Sequence, residues 1–470
     1  MKNSNPTIFR LPTSAGKGWF RFRGAAAILV LLIFAACLNG DEPASEKPAS
    51  EKPVAELSQW HQWRGPLFTG ESSTATPPIE WDETKNVQWK VAIPGRGHST
   101  PIVWNDRIFL TTAIPIGDEF EPIADNRPGS HDNLKVSRKS QFQVLAVRRS
   151  DGEILWKTNV HEAVAHEGGH NSGSLASASA TTDGTHVIAF FGSYGLYCLD
   201  NDGAILWSKQ LGKMHTRHGH GEGTSPLLAG DTVVVNWDHE EDSFVVAYDK
   251  MSGKQLWRAK RDEVTSWATP IVVRHDDVDQ VVVSGTRRIT AYDLADGRVI
   301  WECGGMSRNI VASPVPYDGL VIAGSSYDTQ AMLAVRLDGA KGDVSDTRQV
   351  VWKREQRTPY VPSPLLYKGS LYYLRHYQSI LTKLDARSGN EPLGPFRLDG
   401  LRNIYASPVA ANGHVYITDQ VGATMVIQHG DTPQVVATNQ LNDRFNASPA
   451  LAGKDIILRG EQFLYKISEP

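Results

Sequence analysis

Cysteine is nearly absent from this chain: 470 residues hold three, Cys37, Cys198 and Cys303. That spacing excludes a disulfide framework, a cysteine zinc site and a Cys-x-x-Cys-His haem attachment. Helical periodicity is missing as well. Beyond the N-terminal region, no stretch of ten or more residues places apolar side chains at a 3.6 period, which leaves strands as the structural unit. Charge of one sign is missing too. Against 48 Lys and Arg stand 52 Asp and Glu, a net charge of −4. Such a balance gives no general affinity for nucleic acid or for an anionic membrane. The longest apolar run, residues 25–38, is also too short to span a bilayer comfortably.

What the chain does have is a phrase repeated eight times. Its openings are Ser99-Thr100-Pro101, Ala178-Ser179-Ala180, Thr224-Ser225-Pro226, Ala268-Thr269-Pro270, Ala312-Ser313-Pro314, Pro362-Ser363-Pro364, Ala406-Ser407-Pro408 and Ala447-Ser448-Pro449. After a longer first interval the copies lie 41 to 50 residues apart. An insertion at 114–140 accounts for the long interval. Most copies close on a turn with Gly and then Trp, as in Asp151-Gly152 to Trp156 and Ser252-Gly253 to Trp257. A period of this length marks one supersecondary unit stacked on its own copies.

Within a copy, short alternating runs are separated by Asp-Gly or Ser-Gly, where Gly accepts the positive φ of a hairpin turn. Residues 226–258 read in this way as four strands. Eight such units predict an all-β, eight-bladed β-propeller of four-stranded antiparallel blades. Val87 to Val91 reads as an outer strand, and the last copy lacks a fourth strand. The N-terminal strand is therefore expected to close the ring and remove its open edge. Cys198 and Cys303 fall in non-adjacent blades, so both are expected as buried free thiols.

The N-terminus reads as an address. Lys17, Arg21 and Arg23 precede the apolar run, the layout of a secretory signal peptide. Phe34-Ala35-Ala36-Cys37 resembles a bacterial lipobox, which makes Cys37 the expected lipidation site. Residues 38–57 repeat Pro-Ala-Ser-Glu-Lys and are too polar to fold, a tether. The expected organisation is a signal peptide at 1–37, a linker at 38–57, an N-terminal strap at 58–86 along the side of the propeller, and the propeller at 87–470. The destination is the periplasm or a membrane-anchored lipoprotein.

Ala247-Tyr248-Asp249-Lys250-Met251-Ser252-Gly253-Lys254-Gln255-Leu256-Trp257 resembles the tryptophan-docking repeat of the pyrroloquinoline-quinone (PQQ) quinoprotein superfamily. Residues 291–301 repeat it. The resemblance runs from about Trp89 to the end of the chain. It implies that each repeat Trp docks between blades. The chain is similar in blade number and size to the propeller lipoprotein of the outer-membrane β-barrel assembly machinery, which implies a non-catalytic interaction module. Trp60-His61-Gln62-Trp63-Arg64-Gly65-Pro66 looks like the lead segment of uncharacterised PQQ-like propellers. The quinoprotein alcohol dehydrogenases imply instead PQQ with Ca2+ at the channel mouth and, in many members, an adjacent cysteine pair. This chain has no such pair.

In a propeller the inter-blade connections and the loops between second and third strands share one face. The residues before each opening triplet therefore converge on the channel mouth: Arg96, His98, His170, Asn171, His218, His220, Glu222, Trp267, Arg308, Asn309, Tyr360, Arg402, Asn403 and Arg444. The other loops add Asp238, His239, Arg287, Arg288, Tyr327, Asp328, Arg375, His376, Asp419, Arg459 and Glu461. The bland reading is solvated loop residues. The sharper reading is a ligand-binding mouth. Guanidinium forks match carboxylate or phosphate oxygens, and Trp267 and Tyr360 offer stacking surfaces. Asp238, Glu222, Asp328 and Asp419 are the candidate calcium ligands or bases of a quinoprotein, with no motif to select among them. His170, His218 and His220 are candidates for a transition metal, although their spacing matches no recognised site.

The expected function is a non-catalytic scaffold, a monomer that binds envelope proteins or an anionic small ligand and touches the membrane only through a lipid anchor. The alternative is a PQQ-dependent oxidoreductase acting on alcohols or sugars.

Overall fold

The computed structural model describes residues 54–123, 127–375 and 378–470. The expected signal peptide, Cys37, most of the expected linker and His376 lie outside the described residues. Eight antiparallel sheets follow one another along the chain. Blade 1 is Ile102–Trp104, Arg107–Ile116, Lys139–Arg148 and Ile154–Val164. Blades 2 to 7 cover residues 181–209, 227–260, 271–304, 315–354, 365–397 and 409–440. Blade 8 joins Ala450–Ala452, Asp455–Arg459 and Phe463–Ile467 to Val87–Ala92, which pairs antiparallel with the last of these. The ring therefore closes on a strand from the other end of the chain. Gly342–Asp343 adds a short parallel fifth strand to blade 4.

Burial follows position in the blade. The middle strands are covered on both faces by neighbouring blades, so Val233, Val234 and Val235 are all buried in succession. The outer strand Gln255–Lys260 keeps only Trp257 fully buried. The first strands are innermost. Each touches the first strand of both neighbours, from blade 1 round to blade 8 and back.

The opening triplet acquires a physical meaning here. In seven of the eight triplets the backbone N–H of the central residue donates to the hydroxyl of the next blade's. Thr100 donates to Ser179 (2.9 Å), Ser179 to Ser225 (2.9 Å) and Ser225 to Thr269 (3.1 Å). Thr269 donates to Ser313 (3.1 Å), Ser313 to Ser363 (3.0 Å), Ser363 to Ser407 (2.9 Å) and Ser407 to Ser448 (2.9 Å). A belt of hydroxyls thus satisfies buried donors that no sheet can pair.

The repeat Trp residues dock as the resemblance implies. The indole N–H of Trp89, Trp156, Trp207, Trp257 and Trp352 donates to a backbone carbonyl of the following blade's turn, at 2.7–3.1 Å. Trp301 differs and donates to Gln280 within its own blade, 2.9 Å. Both described cysteines are buried and free.

Two segments bear on the channel. Residues 59–76 do not run along the side of the propeller. Trp60 bridges Val103 of blade 1, and the His61 carbonyl accepts from Thr182 of blade 2 (3.0 Å). The Trp63 indole reaches Ser313 of the hydroxyl belt (3.1 Å), and Arg64 donates to Pro364 O (3.0 Å). Glu71 bridges Ala410 of blade 7, and Thr76 N donates to Gly453 O of blade 8 (2.7 Å). The path crosses the axis along the free edges of the innermost strands and floors the channel. Those edges have unpaired N–H and C=O groups, which is why the segment lies there and not on the side. The insertion, by contrast, rises from two extended strands that stay paired out to Ile116 and Lys139. It leans over the mouth between blades 1, 2 and 3.

Candidate functional site

The mouth residues form separate small clusters, each tied internally. Arg96 donates to Asn171 O (2.6 Å) and lies 3.9 Å from Glu461, which also faces Arg444 (3.8 Å). Arg308 pairs with Asp328 (3.0 Å). Arg402 and Asn403 are exposed. His98 is held neutral: burial, aided by Arg96 and Arg459, pushes it down to about 3. Arg459 itself is buried and donates to Ser99 Oγ (2.7 Å). The guanidinium groups of the rim are thus mostly matched to carboxylates or carbonyls, and a uniformly cationic mouth is not formed.

Backbone geometry explains other residues. His218, Asn309, Arg357 and Asn403 all stand at φ 52–56° in the inter-blade connections. Asn tolerates this region better than most residues, so Asn309 and Asn403 suit the turn whatever their contacts. Tyr360 stacks on Tyr327 (6.1 Å, 21°), whose ring also carries Arg217 at 5.6 Å. The Trp267 indole N–H donates to Gly221 O (2.7 Å).

Trp267 lines a cavity between blades 2 and 3 together with His166, Tyr194, Met214, Glu222 and Thr265. Ser193 donates to Glu222 twice, from N to Oε2 (2.5 Å) and from Oγ to Oε1 (2.6 Å). Burial outweighs those bonds and pushes Glu222 up to about 8. His166 donates from Nε2 to Met214 O (2.7 Å) and accepts from Tyr194 OH at Nδ1 (3.0 Å), which fixes its tautomer. It stands 3.8 Å from Glu222. Glu167, also in the lining of this cavity, meets Arg127 of the insertion at 2.6 Å.

The remaining acids are also bound into the fold. Asp238 and Arg261 form a fully buried bidentate pair (2.7 and 3.1 Å) that Ser266 and Tyr292 complete. Asp419 accepts N–H bonds from Arg402, Val421 and Ala423 at 2.8–3.0 Å. Glu263, which sequence reasoning passed over, accepts from Arg287 N and Arg288 N, and burial pushes it up to about 7. Ca2+ takes six to eight oxygen ligands. Of the four acids proposed for it, Glu222 and Asp238 line the same cavity, but Asp238 is sealed with Arg261 and Glu222 is held by Ser193, while Asp419 caps a turn and Asp328 pairs with Arg308 elsewhere on the rim. The residues present therefore do not fit a PQQ–calcium site built on them.

One cluster does converge. His170, His218 and His220 come together, and His131 of the insertion joins them, with ring centroids 4.8 Å from His220 and 5.9 Å from His218. The pairing of the two inter-blade histidine segments was legible from the repeat. His131 was not, because nothing in an insertion's sequence says where it folds back.

No curated protein matches the sequence. Among solved structures, BamB from Moraxella catarrhalis is 15% identical at a TM-score of 0.52, over 76% of this chain and 99% of that one. A europium-containing methanol dehydrogenase is 12% identical at 0.57, over 87% and 91%. Quinohemoprotein alcohol dehydrogenase from Comamonas testosteroni is 10% identical at 0.56, over 88% and 81%. At these identities the likeness is one of fold, which binding proteins and redox enzymes share. A family model described as outer membrane protein assembly factor BamB matches residues 140–391 and 241–468, well over half of the chain, and the protein belongs to that family of PQQ-like β-propellers.

Proposed function

We propose that this protein is exported, anchored at the cell envelope through Cys37, and acts there as a non-catalytic binding scaffold. The observation that carries this reading is the commitment of the acids near the mouth. A dehydrogenase site needs a carboxylate positioned as base and others gathered on a cation. Here Asp238, Asp419, Asp328 and Glu222 each have an internal partner. Exposed groups of the rim include Arg287, Arg308, Arg402, Asn403 and Arg444, with Asp328 beside Arg308. Spread over several blades, they suit a protein surface bearing carboxylates, where charge complementarity sets specificity and on-rate. The family description, an outer membrane assembly factor, supports envelope proteins as the partners.

A photo-reactive residue in place of Arg402, in the chain expressed in its host, tests this. The control position is Met251, which is 62% exposed on a turn at the opposite face. The expected result is a protein adduct specific to 402 and weakened when Arg308 and Arg444 are changed to Ala. Equal labelling at both positions, or adducts at neither, contradicts the proposal.

A further inference from the structure

The histidine cluster at the rim has no role in the scaffold reading and little reason to exist as packing. His131 and Asp132 are exposed, and His170 and His220 are half-buried. They come from three segments: the insertion, the connection between blades 1 and 2, and the connection between blades 2 and 3. Main-chain bonds lock these together. Leu134 N donates to Gly169 O (2.8 Å), Asn171 N to Asp132 O (2.9 Å) and His170 N to His220 O (3.0 Å). The Asn133 side chain donates to His218 O (2.8 Å) and Gly219 O (3.1 Å).

The ring spacing is that of a ligand shell. Imidazoles bound tetrahedrally at ~2.1 Å place their ring centroids ~5 Å apart. Here His131–His220 is 4.8 Å, His170–His220 5.0 Å and His131–His170 6.1 Å. The ligand atoms of His131, Asp132 and His170 already lie within 4.8 Å of one another.

The hydrogen bonds set the tautomer at His131 and at the flanking His218, whereas at His170 the Ser172 N–H donates to Nδ1 (3.2 Å), a bond that metal binding at Nε2 would exchange for Nδ1–H donation to Ser172 Oγ (2.7 Å). His131 Nδ1 sits 2.9 Å from Gly129 O, and His218 Nδ1 sits 2.9 Å from Pro128 O. A carbonyl only accepts, so each Nδ1 carries the proton and each Nε2 presents its lone pair. A backbone carbonyl on the second nitrogen is the usual support of a metal-bound histidine. His218 Nε2 accepts from Arg217 Nε (3.2 Å), which makes it a flanking ring and not a ligand. Gly129 is required beside it, since a Cβ there would run into the His218 imidazole.

We propose that His131, His170, His220 and Asp132 bind a divalent late first-row transition metal, of the class for which zinc is the redox-inert member. Three imidazoles and one carboxylate suit such ions better than Ca2+ or Mg2+, which prefer oxygen. The bound ion fastens the insertion across the rim of blades 1 to 3, so that the shape of the mouth depends on metal.

The test is a calorimetric titration of the metal-free full chain with Zn2+, with trypsin sensitivity of residues 127–139 as a second readout. The expected result is one zinc per chain and slower cleavage at Lys135 and Arg138 in its presence. His131→Ala and His220→Ala should each weaken zinc binding at least tenfold and abolish the protection. His275→Ala, in blade 4, should change neither. His131 is exposed, so that variant decides the matter even where His220→Ala fails to fold. No stoichiometric zinc at concentrations well above micromolar overturns the proposal. So does zinc binding at undiminished affinity in His131→Ala.

Discussion

Asp238 and Arg261 show how a residue chosen for chemistry turns out to hold a fold. Both side chains are essentially without exposure, 0% and 1%. A carboxylate in a loop at the mouth is a fair candidate from sequence, but its partner lies 23 residues on and the sequence gives no side-chain direction. Removing one member of such a pair leaves a buried charge uncompensated. Asp238→Ala is therefore expected to cost about 3–5 kcal/mol of stability, measured by denaturant unfolding. A loss of binding with unchanged stability would return Asp238 to the functional site. Glu222 offers a pH test. Its carboxyl is raised to about 8 in the fold by burial, against about 4.3 in an unfolded chain. A raised carboxyl favours the fold while protonated, so its contribution is complete below pH ~4.3 and is lost as pH rises through about 8. The melting temperature of the native chain should fall between pH 5 and pH 9 more steeply than that of Glu222→Gln. Parallel curves for the two proteins would contradict the burial argument.

The elements were the most legible part. Four strands per repeat, Asp-Gly turns and a closing Trp are local signals, and the blades follow them. The partner of each signal is not local, which is why its physics stayed hidden. Gly253 reads as a turn residue, and its φ of +65° requires one. It also lies against the Trp207 ring of the previous blade, where a Cβ would come within 2.7 Å. The turn glycine is thus set by a tryptophan 46 residues earlier. Gly253→Ala should cost more than the roughly 1 kcal/mol of a simple positive-φ penalty, and Trp207→Ala should remove the excess in a double-mutant cycle. The hydroxyl belt is the same lesson. Ser313 stands in a recognisable triplet, yet its hydroxyl serves Thr269 of the blade before and Trp63 of the N-terminal segment. Ser313→Ala orphans two buried donors, an expected cost of about 2–4 kcal/mol in unfolding experiments. A neutral substitution would mean that the belt is incidental.

At the scale of the whole molecule, closure was readable because a missing strand at one end matched a spare strand at the other. The floor of the channel was not. Residues 59–76 have no periodicity, and only the free inner edges of blades 1, 7 and 8 explain why they cross the axis. The result is a ring crossed at one end by the N-terminal segment, with a mouth whose acids are each tied to a partner and whose Arg308, Arg402 and Arg444 are exposed. On the proposed scaffold reading, a propeller built in this way presents a surface for binding. That claim meets its most direct test in a titration of the protein with PQQ, with and without Ca2+, followed by tryptophan fluorescence, since Trp267 stands in the wall beside the mouth. The account predicts no saturable quenching at concentrations well above micromolar. Saturable, calcium-dependent quenching that disappears with Trp267→Phe would contradict it and establish a cofactor site.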